Sequence, residues 1–290
     1  MNGGLCEAMR IALVYNPRML PVRLAKVAAL AHVLESRGHG VSHHDSQGFV
    51  AADEAVPPDL VCICGGDGTA QLVIANQSDP AALPPIAVYP TGTINLLARE
   101  LDYSANPQEF ALRIESGRSP LYSRLATING RTFLCCVSVG ADAYAVAALS
   151  EPLKARIGRL AYLVALGKVM LDWPRQAMQV TCDGAAFTVE ALFILRGNLY
   201  AGPWTLDRKA SLSNPALRVL ALPRARRRDL ARLVFNALLG RERAAPDWLV
   251  LDARHMTISS DRPVPIQIDG DPGGSTPLEI AMTTAEVRFF

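Results

Sequence analysis

Between Arg10 and Gly117 the chain alternates short apolar runs with longer amphipathic stretches. The runs are RIALVYNP (10–17), DLVCICGG (59–66) and PPIAVYP (84–90), apolar at consecutive rather than alternate positions. A strand that is apolar on both faces is covered on both faces, as inside a parallel sheet. A helical pattern follows each run. In PVRLAKVAALAHVLESRG (21–38), Leu24, Val27, Ala28, Ala31 and Leu34 fall on one face, Pro21 can start the helix and Gly38 can end it. Further helices are expected at about 70–77 and 94–101 and over NPQEFALRIESG (106–117). This alternation predicts a Rossmann-like parallel-sheet α/β domain with helices on both sides.

After Gly117 the pattern changes to strand-like runs: 121–128, 132–140, 177–183, 186–195, 217–222, 249–258, 264–269 and 277–288. Asn129-Gly130 and Asp183-Gly184 are hairpin-turn dipeptides between such runs. Two helices interrupt them, at about 154–171 and 227–239. The expected organisation is an α/β domain over 1–118 and a β-sandwich domain over 119–290, with the extreme C-terminus free to return to the first. The length of 290 residues agrees, since one core rarely grows past about 250–300 residues.

Composition narrows the function classes. Half the residues are apolar and 19% are charged, which is a well-cored globular chain. A net charge of +2 gives no basic excess to argue for nucleic acid as a partner. The longest uncharged apolar stretch in a helical context, Leu160–Gly167, is far short of the roughly 20 residues a bilayer requires. MNGGLCEAMR lacks the basic start and apolar segment of a secretory signal. The six cysteines include no CxxC pair and read as buried thiols of a reducing, cytoplasmic compartment. The five histidines form no triad or metal pattern.

The chemistry is concentrated at two turns. Gly65-Gly66-Asp67-Gly68-Thr69 stands between a buried strand and a helix start. Glycines there let a phosphate reach backbone N–H groups that a helix dipole already favours for anions. A carboxylate beside phosphate makes sense with a bridging divalent cation, so the turn reads as a Mg²⁺–nucleotide site with Asp67 toward the metal. The plain alternative is a left-handed turn with an Asp or Thr helix cap. No GxxxxGK[ST] or GxGxxG occurs. A second turn, in YPTGTINLLAREL (89–101), repeats the design, with Gly92 and Thr93 at a strand end. Thr69 and Thr93 are both read as N-caps. Two such turns at the carboxyl ends of parallel strands mark a ligand crevice.

GGDGT followed about 20 residues later by PTGTINLLAREL resembles the diacylglycerol-kinase catalytic-domain family, which includes bacterial soluble lipid kinases and the sphingosine and ceramide kinases. YNP (15–17), GADA (140–143), KARIGRLAYLVALG (154–167) and QIDGD (267–271) extend the resemblance over nearly the whole chain. NAD kinases share GGDGT but not the second element. The resemblance implies the two-domain fold read above, with the site in the interdomain cleft, and transfer of the γ-phosphate of ATP to a lipid hydroxyl. The acceptor would be diacylglycerol or a sphingoid or ceramide-like lipid. It also implies that Asn16, Gly65, Gly66, Asp67, Gly68, Thr69, Gly92, Thr93 and Asn95 line the nucleotide and that Asp67 acts with Mg²⁺. Asp271, where the family usually has Glu, would be the general base.

This chain departs from the family in four places. Leu72 and Leu96 replace acids that would stand at helix position N3 in a capping box. Arg124 falls about where many members have Asp. Ser213, Asn214 and Pro215 stand where many have an Asp-Asp-Gly that holds a structural Mg²⁺, so that site is expected to be weak or absent. RARRRDLARLVFNALLGRER (224–243), with seven arginines and two acids, reads either as a basic amphipathic helix on anionic lipid or as an ordinary helix covering the sandwich. The 154–171 segment has the same two readings. The leading expectation is a cytoplasmic ATP- and Mg²⁺-dependent lipid kinase, peripheral at the inner membrane face, with a homodimer left open. Its rivals are a non-catalytic nucleotide- or lipid-binding relative and, third, an NAD kinase-like enzyme.

Overall fold

The computed structural model describes residues 8–147, 167, 174–240 and 245–290. The chain forms two compact units, one running to Leu125 and taking back Thr284–Phe290, the other spanning Ala126–Thr283.

The first unit is built on a parallel sheet. β1 (Arg10–Tyr15), β2 (Gly40–Asp45), β3 (Leu60–Gly65) and β4 (Ile86–Pro90) stand in the order β2-β1-β3-β4. The last residues of β18 (Leu278–Phe289) join beside β4, Phe289 against Ile86. β3 and β4 are buried at every position, which is why their sequences show no alternation. β2 carries no such signal and was not expected. Its GVSHHD is largely exposed and pairs only with β1, as a polar edge strand does. The helices are α1 (Pro21–Ser36), α2 (Asp67–Ala75), α3 (Leu96–Glu100) and α4 (Pro107–Ile114). α1 ends as expected, with Gly38 in the left-handed region at φ 93° and its N–H on the Glu35 carbonyl. Its covered face is rotated from the expected one. Val27, Ala31 and Leu34 are buried with Leu30 and Val33, whereas Ala28 is exposed and Leu24 half-buried. α1 packs on α4 as well as on the sheet, so it has two contact directions rather than one stripe.

The strand order decides where a ligand can enter. From β1 the chain crosses through α1 to β2; from β3 it crosses through α2 to β4, in the opposite direction. The loops after β1 and β3 therefore diverge, and a crevice opens at the carboxyl ends of those strands.

The second unit is an antiparallel sandwich. One sheet contains β15 (His255–Ser260), β8 (Met178–Cys182) and β9 (Ala185–Val189), with the first part of β18 on β15. β5 (Leu121–Ile128) and β6 (Arg131–Phe133) form a hairpin at its side. The other sheet has the order β14 (Leu249–Ala253), β13 (Leu217–Leu222), β10 (Ala191–Leu195), β7 (Cys136–Val139), β16 (Pro265–Ile268), β17 (Asp271–Ser275). Residues of both inner faces form one core, among them Phe133, Val139, Val180, Leu192, Val219, Met256, Ile266 and Ile280.

Three runs read as single strands are each two. The runs 132–140, 186–195 and 249–258 break at 134–135, Glu190 and Arg254, and the chain changes sheet at each break. Apolar pattern continues through such a corner because both sheets face the same core. The two Asn/Asp-Gly turns form as expected: Asn129 and Gly130 stand at φ 46° and 77°, Asp183 and Gly184 at 43° and 89°. Asp269-Gly270, at 49° and 93°, closes a third such hairpin between β16 and β17. Also unexpected were α5 (Ala141–Ala147) and the short pair β11 (Leu199–Tyr200) and β12 (Trp204–Thr205). The expected helix at 227–239 is α6 (Arg227–Leu238). The expected helix at 154–171 lies outside the described residues, save Gly167.

Candidate functional site

Three loops leave the carboxyl edge of the parallel sheet. After β1, Asn16 Oδ1 accepts the Arg18 N–H at 2.8 Å, so this side chain turns its own loop. After β3 and β4 come the two glycine turns, and they are packed on each other. A Cβ on Gly92 would stand 2.9 Å from Gly66 Cα and 2.5 Å from Asn95 Oδ1. A Cβ on Gly65 would stand 2.4 Å from the Thr69 Cβ. These two glycines are explained by chain meeting chain. Gly68 is different: it is exposed and a Cβ there would meet nothing within 4 Å. It is the second residue of α2, where no preceding helical carbonyl reaches its backbone N–H. The Thr69 and Ala70 N–H groups are taken by the Gly66 carbonyl at 3.0 and 3.1 Å, so the approach open to an oxyanion at the start of α2 is the space over Gly68.

Asp67 joins the turns. Its carboxylate is 9% exposed and accepts the Leu96 N–H at 2.9 Å on Oδ2 and the Leu97 N–H at 2.8 Å on Oδ1. It caps α3 from another element. Thr69 and Thr93 are therefore not the N-caps expected: the cap of α2 is Gly66 and the residue before α3 is Asn95, left-handed at φ 53°. Leu72 and Leu96 are not N3 positions. Leu72 is the sixth residue of α2 and partly exposed; Leu96 is the first of α3 and buried. At α3 Asp67 supplies the cap in place of a capping box, and α2 starts from Gly66 without a side-chain cap. Asn95 donates Nδ2–H to the Gly92 carbonyl at 2.9 Å, and its buried Oδ1 has no partner among the described residues. An orphan acceptor lying against Gly66 and Gly92 fits a donor brought by a ligand, such as a hydroxyl.

Asp67, expected to face a metal, is engaged with the backbone of the second turn. Among the described residues no group of three or more His, Cys, Asp or Glu converges as a metal site, and both Asp67 oxygens are engaged by backbone N–H groups.

The late carboxylates belong to the second unit, where they divide into two tasks. Asp269 is the turn residue of QIDGD: it accepts the N–H groups of Leu134, Cys135 and Cys136 at 2.7, 2.7 and 2.9 Å, which makes the corner between β6 and β7. Asp271 begins β17 and is exposed. Of the family-departure positions, Arg124 lies 4.0 Å from Glu286. Asn214 donates to the Lys209 carbonyl at 2.7 Å and Ser213 shares a hydroxyl contact with Ser211 at 2.9 Å. Just after this loop, in β13, Arg218 Nε donates to Asp207 at 2.5 Å and Nη1 to Asp252 at 3.1 Å, so a guanidinium supplies cationic charge to these carboxylates.

A second feature of this unit was only half legible. Asp142, in GADA, is buried and accepts from Ser138 Oγ at 2.5 Å and from the Tyr200 hydroxyl. Burial raises its pKa against the opposing effect of those two bonds, and burial likewise holds Tyr200 far above the usual tyrosine range. Gly140, at φ 102°, is required because a Cβ would stand 2.8 Å from the Glu190 carbonyl oxygen. Asp142 and Tyr200 form the polar end of a cavity of about 50 Å³, lined also by Phe193, Trp204 and the α6 residues Leu230, Leu233 and Val234. Neither Tyr200 nor Ser138 was singled out, since nothing in their local pattern joins them to Asp142.

A parallel α/β unit with two interlocked glycine turns, followed by an antiparallel sandwich, defines a class of two-part phosphotransferase-type chains. Residues 11–122 match the diacylglycerol kinase catalytic domain, and residues 135–290 match the YegS C-terminal NAD kinase beta sandwich-like domain. The chain belongs to the diacylglycerol-kinase catalytic-domain family. It is 25% identical to a diacylglycerol kinase of Staphylococcus carnosus over 92% of this chain and 90% of that one. It is 24% identical to a diacylglycerol kinase of Staphylococcus epidermidis over 97% and 92%. Among solved structures, a diacylglycerol kinase from Bacillus anthracis str. Sterne shares the fold at TM-score 0.66 and 17% identity, over 97% of both chains.

Proposed function

We propose that this protein is an ATP-dependent lipid kinase that transfers the γ-phosphate to a hydroxyl of diacylglycerol or of a sphingoid or ceramide-like lipid. The observation that carries the reading is the interlocked pair of glycine turns, with Gly68 left open at the start of α2. Asn16, Gly65, Gly66, Gly68, Thr69, Gly92, Thr93 and Asn95 form the nucleotide edge. The backbone there binds phosphate, and Asp67 fixes the second turn against the first. Mg²⁺ arriving with ATP would supply charge neutralisation, and Asp67 is the carboxylate of the first glycine turn that would act with it. Asp271 takes the proton of the acceptor hydroxyl as its oxygen bonds to the γ-phosphorus; the bond from that phosphorus to the β-bridging oxygen breaks and ADP leaves. A lipid acceptor sits in a bilayer, so transient contact with an anionic membrane surface, at the cytoplasmic face, is part of the reading.

The test is transfer from radiolabelled ATP to a panel of diacylglycerol, sphingosine and ceramide, with Asp271→Ala as the control. Transfer to one lipid, lost in the control, supports the proposal. ATP binding without transfer to any lipid favours a non-catalytic relative.

A further inference from the structure

α6 carries two different faces. Leu230, Leu233, Val234 and Ala237 point inward and line the cavity beside Asp142. Arg228, Arg232, Phe235 and Leu239 follow one another at steps of four, three and four residues, which places them in a single stripe on the opposite side. The stripe is open to solvent: both arginines are exposed, and Phe235 and Leu239 are 57% and 48% exposed. Leu238 stands at the join. It lines the cavity and is also 52% exposed, so the apolar interior and the outer stripe meet at this residue.

Three large apolar side chains within five residues, left in water, carry an energetic cost unless something covers them. The residues around them indicate what does. From 224 to 240 the chain holds five arginines and one aspartate. That aspartate, Asp229, is buried and already held by Arg226 at 2.6 Å, which leaves the outer stripe cationic. A second copy meeting this face about a two-fold axis would set arginine against arginine. An anionic bilayer answers both needs, since headgroups take the guanidinium groups and the acyl boundary takes Phe235 and the leucines.

We propose that α6 is the membrane-docking helix: the Arg228–Arg232–Phe235–Leu239 stripe lies on anionic lipid, with Leu238 at its apolar edge. This rests on the lipid-kinase reading above for the purpose of the docking, but not for the docking itself.

The experiment is flotation of the full chain with phosphatidylcholine vesicles and with vesicles that also contain phosphatidylglycerol. Wild type is expected to float only with the anionic vesicles. Arg228→Gln with Arg232→Gln is expected to weaken that binding about thirtyfold. Phe235→Gln with Leu239→Gln is expected to weaken it on the order of tenfold. Neither pair lines the cavity, and unchanged urea midpoints would show that both variants fold. Flotation insensitive to both pairs overturns the proposal. So does a wild-type dimer in gel filtration that the Phe235/Leu239 pair converts to monomer, because the face would then be an interface between copies. Transfer to a detergent-dispersed acceptor is measured separately. Stripe-dependent flotation without transfer upholds docking while the kinase reading fails; transfer with stripe-independent flotation does the reverse.

Discussion

Alanine at Gly68 and at Gly92 should move this protein in opposite directions. Gly68 is a helical residue with open space where its Cβ would stand. Alanine there removes unfolded-state freedom without a clash and should stabilise by about 0.4–1 kcal/mol. At about 2–4 °C per kcal/mol, the melting temperature should rise by about 1–4 °C. The new methyl group would occupy the space into which a phosphate oxygen must come. Loss of one charge-assisted hydrogen bond, about 1.5–3 kcal/mol, weakens ATP about 10- to 150-fold. Gly92→Ala would drive its Cβ to 2.9 Å from Gly66 Cα, which is backbone and cannot swing aside. Overpacking of this kind costs about 1–3 kcal/mol, a fall of about 2–12 °C. Thermal melts and calorimetric titration with Mg²⁺–ATP read both quantities. A Gly68→Ala protein that melts higher and binds ATP as wild type does would refute the phosphate assignment. One that melts several degrees lower would refute the account of the turn's packing.

Other outcomes follow from the same geometry. Asp67→Asn replaces one of the two acceptors facing Leu96 and Leu97 with a donor, and should cost roughly 1–3 kcal/mol in urea denaturation. Arg218→Met leaves Asp207 buried without its guanidinium and should cost about 3–5 kcal/mol, whereas EDTA should leave the wild-type melting temperature unchanged. Glu115 is held below its ordinary pKa of 4.5 first by the hydrogen bonds of Arg37, against the effect of burial, with His39 adding to the lowering. A depressed folded-state pKa means stability present above about pH 4.5 and lost as pH falls through the lower folded value. The stability gap between wild type and Glu115→Gln should therefore be widest near neutrality and narrow below pH 4.5 in acid-series denaturation.

Much of the fold was legible because burial leaves a local trace. β3 and β4 are covered on both faces and read as unbroken apolar runs. Asn129-Gly130 and Asp183-Gly184 read as turns because both residues must take positive φ. β2 was missed because an edge strand with one neighbour has no apolar obligation. The corners at 134–135, Glu190 and Arg254 were missed because a chain that changes sheet keeps facing the same core.

The candidate site divides along the same line. Its location was set by the sequence itself, since strand, glycines and helix start are neighbours along the chain and their chemistry is local. The reason for each glycine was not. Gly65 answers to the Thr69 side chain one helical turn on, Gly92 to the other turn, and of the three only Gly68 faces open space. Asp67 read as a group turned toward a metal, yet its partners Leu96 and Leu97 lie 29 and 30 residues away, and only the folded chain brings their N–H groups within 3 Å. Likewise the arginines of α6 were visible in sequence, but which of its apolar residues are covered and which face water was decided by the packing of one helix face on the sandwich. Residue type and spacing determine what chemistry a segment can offer; tertiary contact decides which of those groups are already spent on the protein and which remain for a ligand.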